Sequence, residues 1–243
     1  MIDLHCHLLP GIDDGAGDLA TALDMARMAV ADGITHAVLT PHLHGGRWDN
    51  RAAEVKGHCE AFARALTEHD IPLEVSYSAE VRIGPEILSW IPAGDIRFLG
   101  SWEGRKVLLL ELPHGQIPPG SDKLTGWLLN NGIQPMIAHP ERNKFVLRDL
   151  AAIEPFVEQG CLLQVTAGSV AGGFGEPARE RAIELLARNW VTILASDAHS
   201  SQWRPPVLSE GREAASAVVG EDQAWQLVHG RPWKIAEQHF EAA

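Results

Sequence analysis

Histidine and carboxylate side chains recur in this sequence where an apolar, strand-like segment gives way to polar residues. Five histidines and four carboxylates stand in that position, after six different segments. They are His5, His7, Asp14, His42, Glu80, Glu111, His139, Asp197 and His199. Imidazoles and carboxylates together suit manganese, iron or zinc, and magnesium is a poorer match to so many imidazoles. The set exceeds the needs of one tetrahedral ion and predicts two or three divalent cations, with one carboxylate bridging.

The chain alternates between predicted strands and predicted helices. The predicted strands are 2–5, 34–40, 73–79, 106–110, 133–138, 161–166 and 190–195. The predicted helices are 19–32, 50–69, 121–131, 149–159 and 176–189, and the remainder from residue 206 is mostly helical. This alternation predicts an α/β fold with parallel strands covered by helices, either a closed or distorted barrel or a doubly wound sheet. In a barrel the C-terminal strand ends share one face, so the side chains that follow them would meet in one pocket.

Composition and charge exclude several classes of protein. The 243-residue chain is 45% hydrophobic and 21% charged, as expected of a globular protein long enough to bury a core. No linker, repeat or low-complexity segment divides it, so we expect one domain over residues 1–243. The formal net charge of −12 disfavours binding to nucleic acid or to anionic membranes. Bound cations invert the local field, so an anionic substrate is compatible with this charge.

The cysteines and the first residues bear on the cellular compartment. Cys6, Cys59 and Cys161 form no CxxC pair and no disulfide framework, which favours a reducing compartment. The opening MIDLHCHLLP has no basic region followed by an apolar stretch, so we expect no secretory signal. No apolar run approaches the roughly 18 to 20 residues that span a bilayer. We therefore expect a cytoplasmic protein without membrane insertion. Its oligomeric state is left open.

Taken one at a time, these residues also have ordinary structural explanations. A single histidine at a strand end is more often a hydrogen-bonded structural residue. Asp13 and Asp14 precede Gly15 and could form a turn, and Glu80 or Glu111 could pair with a buried arginine. Their joint placement after six strands favours the metal site. Other catalytic devices are missing: the sequence has no phosphatase-type cysteine loop, no GxxxxGK[ST] loop, no GxSxG elbow and no HExxH helix.

Several stretches that contain these residues resemble a known family. The HxH pair, His42, Glu80, HPER and SDAH look like the PHP superfamily of metal-dependent phosphoesterases. Within it, MIDLHCHLLPGIDDG, TPH at 40–42, AHPERN at 138–143 and SDAHSSQWRPP at 196–206 are similar to the CpsB/YwqE-type bacterial tyrosine phosphatases. The resemblance runs over essentially the whole chain, and the PGIDDG and HPERN stretches are specific to this branch.

The resemblance implies a distorted (β/α)7 TIM-like barrel of PHP type, with parallel strands, outer helices and three divalent metal ions. It implies that the first ion is held by His5, His7, Glu80 and Asp197. Glu80 would bridge to a second ion, which Glu111 and His139 also hold. The third ion would be held by Asp14, His42 and His199. Arg142 and Arg204 match family arginines that contact phosphate, so phosphate or sulfate is expected in the pocket. Asp197 and His199 are also candidates for assisting proton transfer.

The implied reaction is hydrolysis of a phosphomonoester by water that the metal ions activate. The implied substrate is a phosphotyrosine protein, the tyrosine-rich tail of a bacterial tyrosine kinase in capsule or exopolysaccharide regulation. The alternatives are a PHP-type phosphatase of a small metabolite such as histidinol phosphate, a metal-dependent amidohydrolase, and a non-catalytic metal-stabilised binding module. The segment Leu112–Gly120 departs from the family pattern and adds His114 near the pocket, which leaves the fit of the substrate open.

Overall fold

The computed structural model describes residues 1–241, in which strands and helices alternate along the chain. The strands are β1 (Ile2–Cys6), β2 (His36–Leu39), β3 (His42–His44), β4 (Trp48–Asp49), β5 (Glu74–Tyr77), β6 (Glu80–Arg82), β7 (Gly100–Trp102), β8 (Arg105–Glu111), β9 (Ile133–Ala138), β10 (Leu162–Thr166) and β11 (Ile193–Ala195). The α-helices are α1 (Leu19–Ala31), α2 (Ala52–Glu68), α3 (Ile87–Ala93), α4 (Ser121–Asn130), α5 (Lys144–Arg148), α6 (Glu154–Glu158), α7 (Ala167–Val170), α8 (Glu176–Ala187), α9 (Ser209–Val219), α10 (Glu221–Trp225) and α11 (Arg231–Ala236).

Parallel strands form a barrel with seven positions. β1, β8, β9, β10 and β11 each fill one position, whereas β2 is continued by β3 and β5 is continued by β6. The barrel closes between β11 and β1, where the Asp197 amide donates to the His5 carbonyl at 2.7 Å and Cys6 bridges to Ala198. Closure confirms the predicted barrel and excludes the doubly wound sheet. β4 and β7 are antiparallel additions to β3 and β8.

The apolar core has two layers because strand side chains alternate between the barrel interior and the helices. Leu109 and Met136 belong to the interior cluster, and Leu108 and Ile137 belong to the outer one. Ile235 of α11 joins the interior cluster, so the C-terminal helices fill the end of the barrel opposite the strands' C-terminal ends. Polar side chains occupy the other end.

The outer helices bury one face each. Asp18 caps α1 by accepting a hydrogen bond from the Thr21 amide at 2.8 Å, and Met25 and Ala26 are on the buried face. α2 similarly buries Phe62. Within residues 1–241, no helix combines the length and the apolar character that crossing a membrane requires.

Several elements differ from the predictions. The short strands β3, β4, β6 and β7 were not predicted, because strands of two or three residues carry no periodic pattern. The helices α3, α5 and α7 were not predicted either. The predicted strand over 190–195 shortens to Ile193–Ala195. The predicted helix over 149–159 breaks at Ile153, and the chain resumes as α6 with Pro155 near its start, where the missing N–H costs no hydrogen bond.

Candidate metal centre

The C-terminal end of the barrel brings together all nine predicted metal-binding side chains. His5 lies in β1, Glu111 ends β8, and His42 and Glu80 begin β3 and β6, so these four belong to strands rather than to loops. The other five lie in the connections that follow β1, β9 and β11: His7, Asp14, His139, Asp197 and His199. Seven of the nine are buried, His139 is partly buried, and Asp14 stands exposed at the rim.

Two of these histidines each face the same two carboxylates. His5 Nε2 lies 3.3 Å from His7 Nε2, 3.4 Å from Glu80 Oε2 and 3.3 Å from Asp197 Oδ1. His7 Nε2 lies 3.5 Å from each of the same two carboxylate oxygens. Four potential ligand atoms therefore lie close together on buried side chains.

The outer nitrogens of both histidines are already engaged. His5 Nδ1 donates to Gln164 Oε1 at 2.9 Å, and His7 Nδ1 donates to Asp13 Oδ2 at 2.7 Å. These bonds place the hydrogen of each neutral ring on Nδ1 and leave Nε2 as the acceptor. The loop that contains Asp13 packs closely against His7. A Cβ atom at Gly15 would lie 2.1 Å from the His7 carbonyl oxygen, so only glycine fits there.

The convergence of acceptors fits a metal ion. Asp197 Oδ1 is buried and receives no hydrogen bond from any residue in 1–241. Facing lone pairs repel unless protons or a cation lie between them. Without metal, protons take this place: burial lowers the pKa of His5, but Glu80 and Asp197 outweigh burial and raise it. A divalent cation satisfies the same acceptors.

Glu80 extends the cluster to a second group of ligand atoms. Its Oε1 lies 2.7 Å from His139 Nε2, and its Oε2 lies 2.9 Å from His42 Nδ1. Glu111 Oε2 lies 3.7 Å from the same His42 nitrogen. The atoms of His42, Glu80 and Glu111 lie within 4.8 Å of one another, a combination that the family resemblance did not imply. Glu80 thus offers its two oxygens to different neighbours, as a bridging ligand does.

A third group forms at the rim around Asp14. Asp14 Oδ1 lies 3.3 Å from His42 Nε2 and 3.4 Å from His199 Nε2. The His199 ring lies 3.9 Å from the His7 ring, and its Nδ1 donates to the Asp197 carbonyl at 3.0 Å. His199 therefore also presents Nε2 towards the cluster.

Glu111 also has an arginine neighbour. Arg82 Nε lies 2.9 Å from Glu111 Oε2, in an ion pair without hydrogen-bond geometry. Burial raises the pKa of Glu111 to about 7, and the Glu80 carboxylate adds to this effect. Glu111 was considered above either as a metal ligand or as the partner of an arginine. In this geometry it can be both.

Two arginines lie beside the cluster of candidate ligands. Arg142 and Arg204 both pair with Asp197 Oδ2, the oxygen that points away from His5 and His7. Phe174 stacks beneath both guanidinium groups, at 4.7 Å from Arg142 and 5.8 Å from Arg204. The Nε atoms of both arginines are buried and find no acceptor in the described part of the chain. Both arginines also line the pocket.

Two site residues have strained backbones. His139 has φ of 35° and Asp197 has φ of 50°, both in the left-handed region that side-chain-bearing residues rarely occupy. Each such residue costs about 1–3 kcal/mol, which the surrounding structure must offset. The strain turns each side chain into the pocket immediately after its strand.

Sequence reasoning missed several residues that support this site. Asp13 was not among the predicted ligands, and Gln164, Arg82, Trp48 and Phe174 were not singled out. Trp48 stacks on His42 with ring centroids 4.8 Å apart. Only Gln164 left a usable signal, because it is a polar residue in the middle of an apolar strand.

Replacing Asp13 with asparagine tests its hold on His7. We expect the affinity for manganese to fall about 10- to 100-fold, because an outer-shell carboxylate orients its histidine and raises its basicity. Calorimetric titration of the metal-free protein measures this. Asp18→Asn is the control, since asparagine caps a helix as well as aspartate does. Equal affinities in the two variants would contradict the assigned role of Asp13.

Metal affinity is expected to depend on pH. The pKa of Glu111 is about 7, so this carboxyl is mostly ionised at about pH 8 and mostly protonated at about pH 6. His42, whose pKa Glu80 raises to about 10 against the opposing effect of burial, must also release a proton. Manganese should therefore bind at least about tenfold more weakly at the lower pH. Competition with a fluorescent chelator at both pH values measures the difference; equal affinities would refute it.

Comparison with known proteins agrees with this geometry. The family described as capsular polysaccharide synthesis, CpsB/CapC, matches residues 1–237. The chain belongs to the CpsB/CapC family. A relative, the tyrosine-protein phosphatase YwqE of Bacillus subtilis, is 38% identical over 204 residues, which cover 84% of this chain and 79% of the relative. The tyrosine-protein phosphatase CpsB of Streptococcus pneumoniae is 25% identical over 243 residues, covering 97% of this chain and 98% of that one.

A solved structure extends the family match to three dimensions. It comes from work on YwqE of Bacillus subtilis and CpsB of Streptococcus pneumoniae, described there as unique metal-dependent tyrosine phosphatases. It superposes on this chain with a TM-score of 0.89 at 33% sequence identity, covering 96% of this chain and 93% of the other. The barrel described above is therefore the fold of the CpsB/CapC family.

Proposed function

We propose that this chain is a metal-dependent phosphatase that hydrolyses phosphotyrosine in proteins. The observation that carries the proposal is a pocket of about 180 Å³ whose lining joins the candidate metal ligands to Arg142 and Arg204. Imidazoles and carboxylates on one side suit cations, and guanidinium groups on the other suit phosphate oxygens. The names of the relatives support phosphotyrosine as the substrate.

The two arginines are proposed to bind the phosphate. Asp197 Oδ2 holds both guanidinium groups towards the pocket, and their Nε–H groups remain free. Phosphate oxygens would accept from these donors without breaking an existing hydrogen bond. Planar guanidinium forks match phosphate geometry and position the substrate.

When bound, divalent cations supply Lewis-acid chemistry: they lower the pKa of water and neutralise charge on phosphate oxygens. The protein holds the remaining groups in defined proton states. Burial would raise the pKa of Asp197, but Arg142 and His5 hold it well below its usual range, so this group stays ionised. Burial lowers the pKa of His199, which keeps its ring neutral. These are the forms that bind cations, and we propose that both residues also assist proton transfer.

We propose three divalent cations, one for each group of ligand atoms. The donor set favours manganese, iron or zinc over magnesium. The first ion would be held by His5, His7, Glu80 and Asp197, and Glu80 would bridge to the second. Asp14 and its histidine neighbours would hold the third.

The proposed substrate is the tyrosine-rich tail of a bacterial tyrosine kinase that regulates capsule or exopolysaccharide synthesis. The family description, capsular polysaccharide synthesis, supports this role. We further propose a cytoplasmic location, because Cys6, Cys59 and Cys161 are buried free thiols, as in a reducing compartment. We propose that residues 1–243 form one catalytic domain, since the C-terminal helices pack against the barrel core.

The test uses purified protein loaded with manganese. We expect hydrolysis of p-nitrophenyl phosphate and of a phosphotyrosine peptide, loss of both activities with a chelator, and recovery when manganese is returned. Histidinol phosphate and a phosphoserine peptide are the comparison substrates. Failure on both aryl phosphates would refute the proposal, and a strong preference for histidinol phosphate would favour the metabolite phosphatase. The amidohydrolase has less support, because no lysine among residues 1–241 lines the pocket.

A further inference from the structure

A groove leads away from the metal pocket along one side of its mouth. Arg82 lines the pocket and also an adjoining cavity of about 220 Å³. Ile83, Gly84 and Pro85 are shared between that cavity and a further one of about 260 Å³. We call these two adjoining cavities the side groove. Because Arg82 joins it to the pocket, a chain that lies in the side groove can reach the phosphate site.

The two parts of the side groove differ in chemistry. His44 and Glu86 line the near part, where His44 Nδ1 is buried without a partner in the described residues. The far part is apolar, with Leu88, Pro118 and Leu124 in its lining. Leu88 is 46% exposed although it lies in a helix that buries other apolar side chains. A polar stretch followed by an apolar one matches an extended peptide, whose backbone needs hydrogen-bond partners and whose side chains need pockets.

The segment Leu112–Gly120 forms part of both sites. His114 lines the metal pocket, and Pro118 lines the far part of the side groove. Asn143 of the HPERN stretch holds this segment by donating to the Pro113 carbonyl at 2.8 Å and to the Gln116 carbonyl at 3.1 Å. This segment, which departs from the family pattern, therefore lies next to the part of a substrate that extends from a bound phosphate.

We propose that the side groove binds the residues next to the phosphotyrosine of the substrate protein, and that its far part receives an apolar side chain. This inference rests on the proposed phosphatase function and adds a sequence preference to it. The occupant is a polypeptide rather than an anionic lipid, because the net charge of −12 disfavours anionic membranes. Small phosphates occupy the pocket alone and gain nothing from the groove.

Kinetics on paired substrates test the side groove. The manganese-loaded enzyme is given p-nitrophenyl phosphate and two phosphotyrosine peptides, one with leucine and valine flanking the phosphotyrosine and one with serine and glycine. We expect the wild-type enzyme to prefer the apolar peptide. Leu88→Asp should lower the ratio of kcat/KM for the apolar peptide to kcat/KM for p-nitrophenyl phosphate by at least about fivefold, since a leucine contact is lost.

Leu19→Asp is the matched control, because Leu19 is similarly exposed, at 44%, and also lies in the first turn of a helix, but is outside the groove. Leu88→Ser, a smaller change, repeats the test should the aspartate variant fold poorly by circular dichroism. The proposal is overturned if the wild-type enzyme shows no preference between the peptides, or if the Leu88 and Leu19 variants have the same ratio. If the wild-type enzyme hydrolyses none of the three substrates, the proposed function itself has failed.

Discussion

Glu80→Gln is expected to lower kcat/KM for p-nitrophenyl phosphate about a thousandfold, which corresponds to roughly 4 kcal/mol of transition-state stabilisation. Glu80 is buried and stands between two groups of ligands: its Oε2 faces His5 at 3.4 Å and His42 at 2.9 Å, and its Oε1 is 2.7 Å from His139. An amide offers one weaker acceptor and a pair of donors that repel a cation. The variant should therefore retain less manganese as well as less activity.

The measurements for Glu80→Gln are steady-state kinetics and metal content by elemental analysis. Glu74→Gln serves as the control, because Glu74 is an exposed glutamate in β5, on the same barrel position but outside the cluster. We expect the control to keep the activity and the metal content of the parent. A Glu80→Gln protein with full metal content and parental activity would contradict the bridging role.

Arg142→Lys should lower kcat/KM for p-nitrophenyl phosphate about 10- to 100-fold while leaving the metal content unchanged. Lysine keeps the charge but has no planar fork, so it cannot hold Asp197 and present a second donor to phosphate at the same time. The free Nε–H of Arg142 is the group that the substitution removes. Inhibition by inorganic phosphate should weaken in the same proportion, because phosphate uses the same donor.

Arg179→Lys is the control for this change, since Arg179 is half exposed on α8 and pairs with Glu176. The result that would contradict the prediction is loss of metal from Arg142→Lys in step with loss of activity. That result would mean that Arg142 acts through Asp197 on the ligand cluster rather than on phosphate.

Asp197 connects the two halves of the site. Its Oδ1 faces His5 and His7 without a hydrogen bond from residues 1–241. Its Oδ2 pairs with Arg142 and Arg204. The strained backbone at this residue keeps one carboxylate between the candidate metal ligands and the two arginines that are proposed to bind phosphate. The geometry of each half thus depends on the same side chain.

The sequence pattern was sufficient for parallel strands covered by helices and for the list of candidate ligands. It left a barrel and a doubly wound sheet open, and only the resemblance to the PHP superfamily implied the barrel. Apolar segments such as 106–110 and 133–138 indicate buried parallel strands, because such strands are covered on both faces and need no alternating pattern. His5, Glu111 and Asp197 could be selected because strand ends of a barrel share one face. This reasoning depends on periodicity and chain order, which are local properties of the sequence.

Only the tertiary structure decided which groups act together. The pairing of His7 with Asp13, of His5 with Gln164, and of Phe174 with two arginines depends on contacts between segments far apart in the chain. The short strands that carry His42 and Glu80 form because neighbouring strands supply their hydrogen-bond partners. Distances and orientations of this kind arise from packing, and residue types at given spacings do not encode them.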